Sequence, residues 1–264
     1  MANIVSPSSR YHGDSIVAGV NDHHFVLRIT DGTSVSRLNH DGFTASHDDF
    51  EDPIPGRIWR SDHHYKHDNT EWLDEYDYEK IVKHVNGGWV GYRARSGGQS
   101  RWISTSASFE WTIWEIARRL EKLGRSKVYM TIITRWDRYS DRYRGLKDVQ
   151  FPAASLLEDY LEDVYYGDVE AVEALRFARA SSEMLYYGRI FAKNIVETTK
   201  WTADLIAYHA PPCDLPDYCY IPRKHWYHGQ TWLDRLVWDP SVDTSRVAKH
   251  QMAARRDQLE RSRR

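Results

Sequence analysis

Three features of the sequence predict an α+β fold: one strongly amphipathic helical stretch, a run of β-branched residues directly after it, and further strand-like runs on either side. In the helical stretch Phe109, Ile113, Ile116, Leu120 and Leu123 recur at i, i+4, i+7, i+11 and i+14. Ser106 or Ser108 can cap its start, and Gly124 is placed to end it. Residues 127–135 follow as a strand whose β-branched side chains suit a sheet buried on at least one side. The further strands are 24–30, 101–106, 183–190 and 194–201.

Along the chain, residues 1–22 lack apolar periodicity and read as a flexible arm. The strand at 24–30 closes at Asp31-Gly32, which places Arg28 at its end. Residues 41–69, rich in Asp, His, Pro and Gly, form a long irregular excursion. Trp72, Tyr76, Val82 and Val85 mark a helix over 71–86, stopped at Gly87-Gly88. Residues 156–180 read as two helices broken at Gly167, with Asp168 capping the second. Beyond Tyr208 the prolines at 211, 212 and 216 break the chain, and 218–240 holds short aromatic pieces. The last stretch, 245–264, sets seven basic residues against Asp257 and Glu260 and reads as an exposed, partly helical tail. The resulting division is an arm over 1–22, a body over 23–208 and an extension with a basic tail over 209–264.

Composition narrows the function. With 264 residues, 36 basic and 38 acidic side chains and a net charge of -2, the chain has no general cationic field for coating nucleic acid or membrane. Contact with nucleic acid is expected to be local and weak, through the basic tail. No apolar run spans a bilayer, and the start lacks a secretory pattern, so an intracellular protein, cytoplasmic or nuclear, is expected. Two cysteines exclude a disulfide framework. The 11 Trp and 17 Tyr supply rings that fill cores or stack planar ligands, and Trp89, Tyr92, Arg93 and Arg95 form one such cluster. His209, Cys213, Cys219, His225 and His228 are zinc-type donors, but their spacing matches no paired-knuckle pattern, and no metal is assigned. Histidines in the 40–67 loop read as solvated residues or pocket rim. No nucleophile elbow, phosphate loop or dinucleotide fingerprint is present.

The chemistry is sought in three pieces taken in order: Arg28, then Ser104-Thr105-Ser106 on a strand before a helix, then Glu183 heading an apolar strand. This order resembles the arginine, serine, glutamate class of ADP-ribosyltransferases. The wider stretch, about 24–201, is similar to an uncharacterised fungal domain family of that fold: Gly42-Phe43-Thr44-Ala45 follows the Leu-Arg strand, and a second strand through Asn194-Ile195-Val196 follows the Glu183 strand. The resemblance implies split antiparallel sheets with flanking helices and NAD as substrate. It assigns Glu183 to the ribosyl cation that forms as nicotinamide leaves, a charge effect of the oxyanion-hole kind with the sign reversed. It assigns Arg28 to the dinucleotide, where a planar fork serves better than an ammonium. Ser104, Thr105 and Ser106 would order both.

Two residues before Glu183 many members carry Glu or Gln; here stands Ser181, which does not support transfer to arginine or asparagine side chains. The acceptor stays open among water, a small molecule, nucleic acid and protein, and with water the reaction is NAD glycohydrolysis. Plainer readings also exist. Ser-Thr-Ser serves turns and caps, Arg28 could be a surface residue, Glu183 could begin an exposed strand, and an inactive binding module of the same fold would look alike.

Overall fold

The computed structural model describes residues 13–45, 75–88, 100–135, 150–163, 168–203, 215–227 and 229–264. In chain order the first elements are α1 (Gly13–Asn21), β1 (Phe25–Asp31), β2 (Leu38–Asn39), β3 (Gly42–Thr44), α2 (Glu75–Gly88) and β4 (Trp102–Ser106). Next come α3 (Phe109–Glu121), β5 (Val128–Thr134), β6 (Gln150–Pro152), α4 (Ala153–Asp163) and α5 (Val169–Ser181). The last are β7 (Glu183–Tyr187), β8 (Arg189–Phe191), β9 (Ile195–Trp201) and α6 (Ser245–Arg263). The chain is an α+β protein with antiparallel pairing in its sheets. It divides into two compact units, one of Met1–Ser34, Ser106–Arg135 and Lys193–Arg264, the other of Val35–Thr105 and Trp136–Ala192.

In the first unit β5 pairs with β1 and with β9, both antiparallel, and Leu27 of β1 faces Ser106 at the end of β4. The β1–β5 ladder runs unbroken from Phe25↔Thr134 to Asp31↔Val128. Directly opposite residues of an antiparallel ladder share a face, so each strand divides into two sets. Leu27, Ile29, Met130 and Ile132 are buried on one face. The other carries Arg28, Thr131 and Thr198 in one row. Helix α3 packs on β1 and β5 with its predicted stripe, burying Phe109, Ile113, Ile116 and Leu120. Each such side chain contributes about 1.5–3 kcal/mol. Ser108 is its cap, accepting from Trp111 N–H, and Gly124 follows it in a left-handed conformation (φ 59).

Three expectations are corrected in this unit. Residues 13–21 are helix, not arm: Ile16 and Val20, one turn apart, are buried and α1 packs on β1 and α3. Arg28 lies in the middle of β1, because Asp31 still pairs with Val128 and extends the strand past the expected stop. The C-terminal stretch is one 19-residue helix capped by Thr244, and it is docked: Ala248 and Met252 are buried and α6 packs on α3. Arg256 pairs with Glu110 of α3 and lies over the Tyr218 ring at 4.2 Å. Burial and the Glu110 carboxylate both push the Tyr218 hydroxyl up, keeping it protonated.

A buried ion network joins α3 to the end of β1. Arg119 donates to Glu115 (2.8 Å) and to Asp31 (3.0 Å), while Arg118 grips Glu115 with two bonds of 2.7 and 2.8 Å. Burial raises the Asp31 pKa. The Thr33 hydroxyl, Arg119, the Thr33 N–H and Arg125 outweigh it and hold the carboxyl below its usual range.

The second unit contains the strand order β6-β7-β4 and a separate sheet β2-β3-β8. Helices α2, α4 and α5 pack on one another around Ile81, Val85, Leu156, Leu157, Ala174 and Ala178. Asp168 caps α5 as predicted, accepting from Glu170 and Ala171 N–H. The expected single strand over 183–190 is two strands. Gly188, at φ 72, turns the chain out of β7, and β8 then pairs with β3 in the other sheet. The break is fixed by Gly188 N–H donating to Arg101 O (2.7 Å) and Ala45 N–H donating to Gly188 O (2.8 Å).

Candidate active site

Each of the five predicted site residues lies on a strand and is buried. Arg28 and Ser106 belong to the first unit, and Ser104, Thr105 and Glu183 to the second. In the first unit Arg28 is 7% exposed, which removes the plain surface reading. It shares its row with Thr131 and Thr198, whose hydroxyls are hydrogen-bonded to each other at 3.0 Å. A guanidinium in that row is held by the stiff backbone of a strand paired along its whole length. The Ser106 hydroxyl donates to Ser108 O (3.2 Å) and accepts from Ser108 N–H (3.0 Å), forming the turn that leads into α3. Turn and cap chemistry is therefore real for the last of the three hydroxyls, with Ser108 as the cap itself.

In the second unit β4 and β7 are hydrogen-bonded neighbours. The Thr105 hydroxyl donates to Met184 O at 2.9 Å, so the Ser-Thr-Ser strand is tied to the backbone next to Glu183 across 79 positions of sequence. Glu183 is 2% exposed, not the head of an exposed strand. Its position is set by the end of α5. Ser182 takes a left-handed conformation (φ 49), its N–H donating to the carbonyls of Ala178 and Arg179, and the next residue begins β7. That backbone region favours glycine, and a serine there carries strain of order 1 kcal/mol. Ser181, two positions before Glu183, is fully buried and donates its hydroxyl to Phe177 O (2.9 Å) and Ala178 O (3.3 Å). It is engaged with its own helix.

Sequence reasoning missed His84. On α2 it reaches two serines at once: Nδ1 meets Ser100 Oγ at 2.7 Å and Nε2 meets Ser104 Oγ at 2.8 Å. Ser100 Oγ also accepts from Trp102 N–H, which fixes that hydroxyl at the start of β4. Either tautomer satisfies the chain. In one, Ser100 donates to Nδ1 and Nε2–H donates to Ser104; in the other, Ser104 donates to Nε2 and Nδ1–H donates to Ser100. Both fix the Ser104 rotamer. A lone histidine on a helical pattern carries no motif that would have revealed this. Around β4, Trp102 packs edge-on against Tyr187 (5.2 Å) and Phe151 (6.0 Å), and Arg101 donates to the Tyr187 hydroxyl.

Several predicted features fall outside the described residues: the Trp89, Tyr92, Arg93 and Arg95 cluster, most of the 41–69 excursion with its histidines, and His209, Cys213 and His228. Of the zinc-type donors within them, Cys219 is buried with its thiol on Met252 Sδ at 3.9 Å, and His225 is exposed. Among the described residues no three His, Cys, Asp or Glu side chains gather as a metal site. Among them too, no helix is long and apolar enough to cross a membrane.

No protein-family model matches the chain, and no curated protein matches it. Among solved structures it is similar to EcPltA, with a TM-score of 0.37 and 16% identity over 69% of this chain and 78% of that one. A likeness of that size assigns neither fold family nor function.

Proposed function

We propose that the protein cleaves the nicotinamide–ribose bond of NAD and passes the ADP-ribosyl group to water or another acceptor. The reading rests on the ordered resemblance of Arg28, Ser104-Thr105-Ser106 and Glu183, and one observation supports it most: Thr105 ties the hydroxyl strand to the strand that starts at a buried glutamate. In this reading the glycosidic C–N bond breaks with its electron pair leaving on nicotinamide, which departs neutral. Positive charge grows on the ribose, and the fixed carboxylate of Glu183 stabilises it without reorganising at the moment of reaction. Water then adds to the ribose carbon and releases one proton, or another nucleophile does so in its place. Ser104, its rotamer set by His84, orders the substrate, and Arg28 anchors the pyrophosphate or ribose through its fork. The engaged Ser181 hydroxyl gives no acidic group two positions before the glutamate, which favours water or a small or nucleic-acid acceptor over an arginine side chain.

The test is to incubate the full chain with NAD and follow nicotinamide chromatographically, with water alone and with added acceptors. Wild type is expected to release nicotinamide, and Glu183→Gln to release it about 10²- to 10³-fold more slowly with its melting temperature retained. If wild type releases none under any condition while NAD still binds, the protein is the inactive module of the same fold and the enzymatic reading is wrong.

A further inference from the structure

Residues 220–227 and 229–236 of the first unit belong to a tied turn that the catalytic reading does not use. Tyr220 and Leu236 form an antiparallel bridge, Ile221 N–H donates to Arg235 O at 2.8 Å, and one turn of 3-10 helix spans Arg223–His225. At its centre the Trp226 indole N–H donates to Ile221 O at 3.1 Å. Two guanidinium groups lie over this indole, Arg235 at 4.3 Å and Arg223 at 5.6 Å from the ring centroid. Tyr220 packs edge-on against the same ring.

Cations are usually neutralised where they gather, yet here the described residues offer no carboxylate within ion-pair distance of Arg223, Lys224 or Arg235. The Arg235 Nε is buried without a hydrogen-bond partner. Asp234 is engaged by the N–H and hydroxyl of Thr231 at 2.7 and 2.8 Å. Next in the chain after Trp226, Tyr227 is 70% exposed, while its backbone is fixed by Tyr227 N–H donating to Gln230 Oε1 at 2.8 Å. A tied turn that carries an exposed aromatic residue together with cations lacking carboxylate partners among the described residues matches a chain of alternating planar bases and phosphates.

We propose that this turn binds single-stranded nucleic acid, with a base stacked on Tyr227 and the flanking phosphates against Arg223 and Lys224. Arg235, braced by Trp226, adds to the local positive field. The net charge of -2 over the whole chain confines the attraction to this patch and makes the binding weak and salt-sensitive. A membrane surface would also draw on aromatic and basic groups, but Trp226 is pinned to Ile221 O and lies against Arg235, which leaves Tyr227 as the one exposed Tyr, Trp or Phe ring among the described residues of the turn.

The experiment measures anisotropy of a fluorescent twelve-nucleotide oligo-dT, and of an oligo-U of the same length, titrated with the full chain without NAD at several salt concentrations. Tyr227→Ala is expected to weaken binding about tenfold, and Tyr227→Phe, which keeps the ring, to restore it. The pair Arg223→Gln with Lys224→Gln is expected to lower the slope of log K against log salt by about 1.4, the share of two phosphates on a single strand. Circular dichroism of each variant confirms that the chain is folded. No binding at millimolar protein and low salt overturns the proposal. So does binding that both sets of variants leave unchanged, and so does association with phosphatidylserine vesicles but neither oligonucleotide. The assay contains no NAD, so its failure leaves the catalytic reading standing and its success does not depend on it.

Discussion

Removing Arg119 tests the buried ion network that fastens β1, the strand of Arg28, to α3. Arg119 bridges two carboxylates, Asp31 and Glu115, whose side chains are 3% and 1% exposed. Breaking a buried pair from one side commonly costs about 3–5 kcal/mol, because the remaining charge is left without its partner. In this network neither carboxylate is abandoned: Glu115 keeps both bonds from Arg118, and Asp31 keeps Thr33 and, at 3.6 Å, Arg125. Arg119→Met is therefore placed at the low end, about 3 kcal/mol. For a chain of this size that lowers the melting temperature by roughly 6–12 °C. Thermal and urea unfolding followed by circular dichroism read it. The pH dependence carries a sign: a carboxyl held below its ordinary pKa adds stability that is complete above the unfolded value of about 3.9 and fades as the pH falls through the lower folded value. The stability gap between wild type and Asp31→Asn should thus be constant near neutrality and shrink below about pH 4. An Arg119→Met variant within 0.5 kcal/mol of wild type, or a gap that widens in acid, refutes this account of the network.

Two further outcomes are expected. His84→Ala should cut the rate of nicotinamide release about tenfold while the KM for NAD moves far less, with partial recovery in His84→Gln; a loss of stability of about 1–3 kcal/mol with an unchanged kcat would make His84 purely structural. Met252→Ala should cost about 2–5 kcal/mol and open Cys219 to thiol reagents in the folded state, and a thiol that stays unreactive would mean that α6 does not cover it.

The elements legible in the sequence are those whose periodicity is strong by itself. Helix α3 buries four residues of its apolar stripe, Leu123 falling past its end and exposed, and β5 and β9 are continuous runs of strand formers. Helix α6 was harder to read because its docking uses only Ala248 and Met252, and its further anchor, Arg256 on Glu110, joins residues 146 positions apart. Helix α1 hides for a similar reason, since its nine residues bury only Ile16 and Val20 as large apolar side chains, too short a pattern to show a period. The middle position of Arg28 depends on Asp31 continuing the ladder, which its Thr33 and Arg119 bonds permit and its residue type does not announce. The Ser-Thr-Ser strand and the glutamate strand were visible as motifs. That Thr105 reaches the Met184 carbonyl and that His84 holds Ser104 are tertiary facts with no local pattern.

The central claim is that Glu183 acts on the reacting ribose and Arg28 on the dinucleotide that carries it. The most direct measurement is the separation of kcat from KM for nicotinamide release in Glu183→Gln and in Arg28→Lys. The account predicts a collapse of kcat in the first with KM little changed, and in the second a raised KM for NAD with kcat largely kept. Turnover by Glu183→Gln at the wild-type rate, or no change of KM in Arg28→Lys, would contradict it.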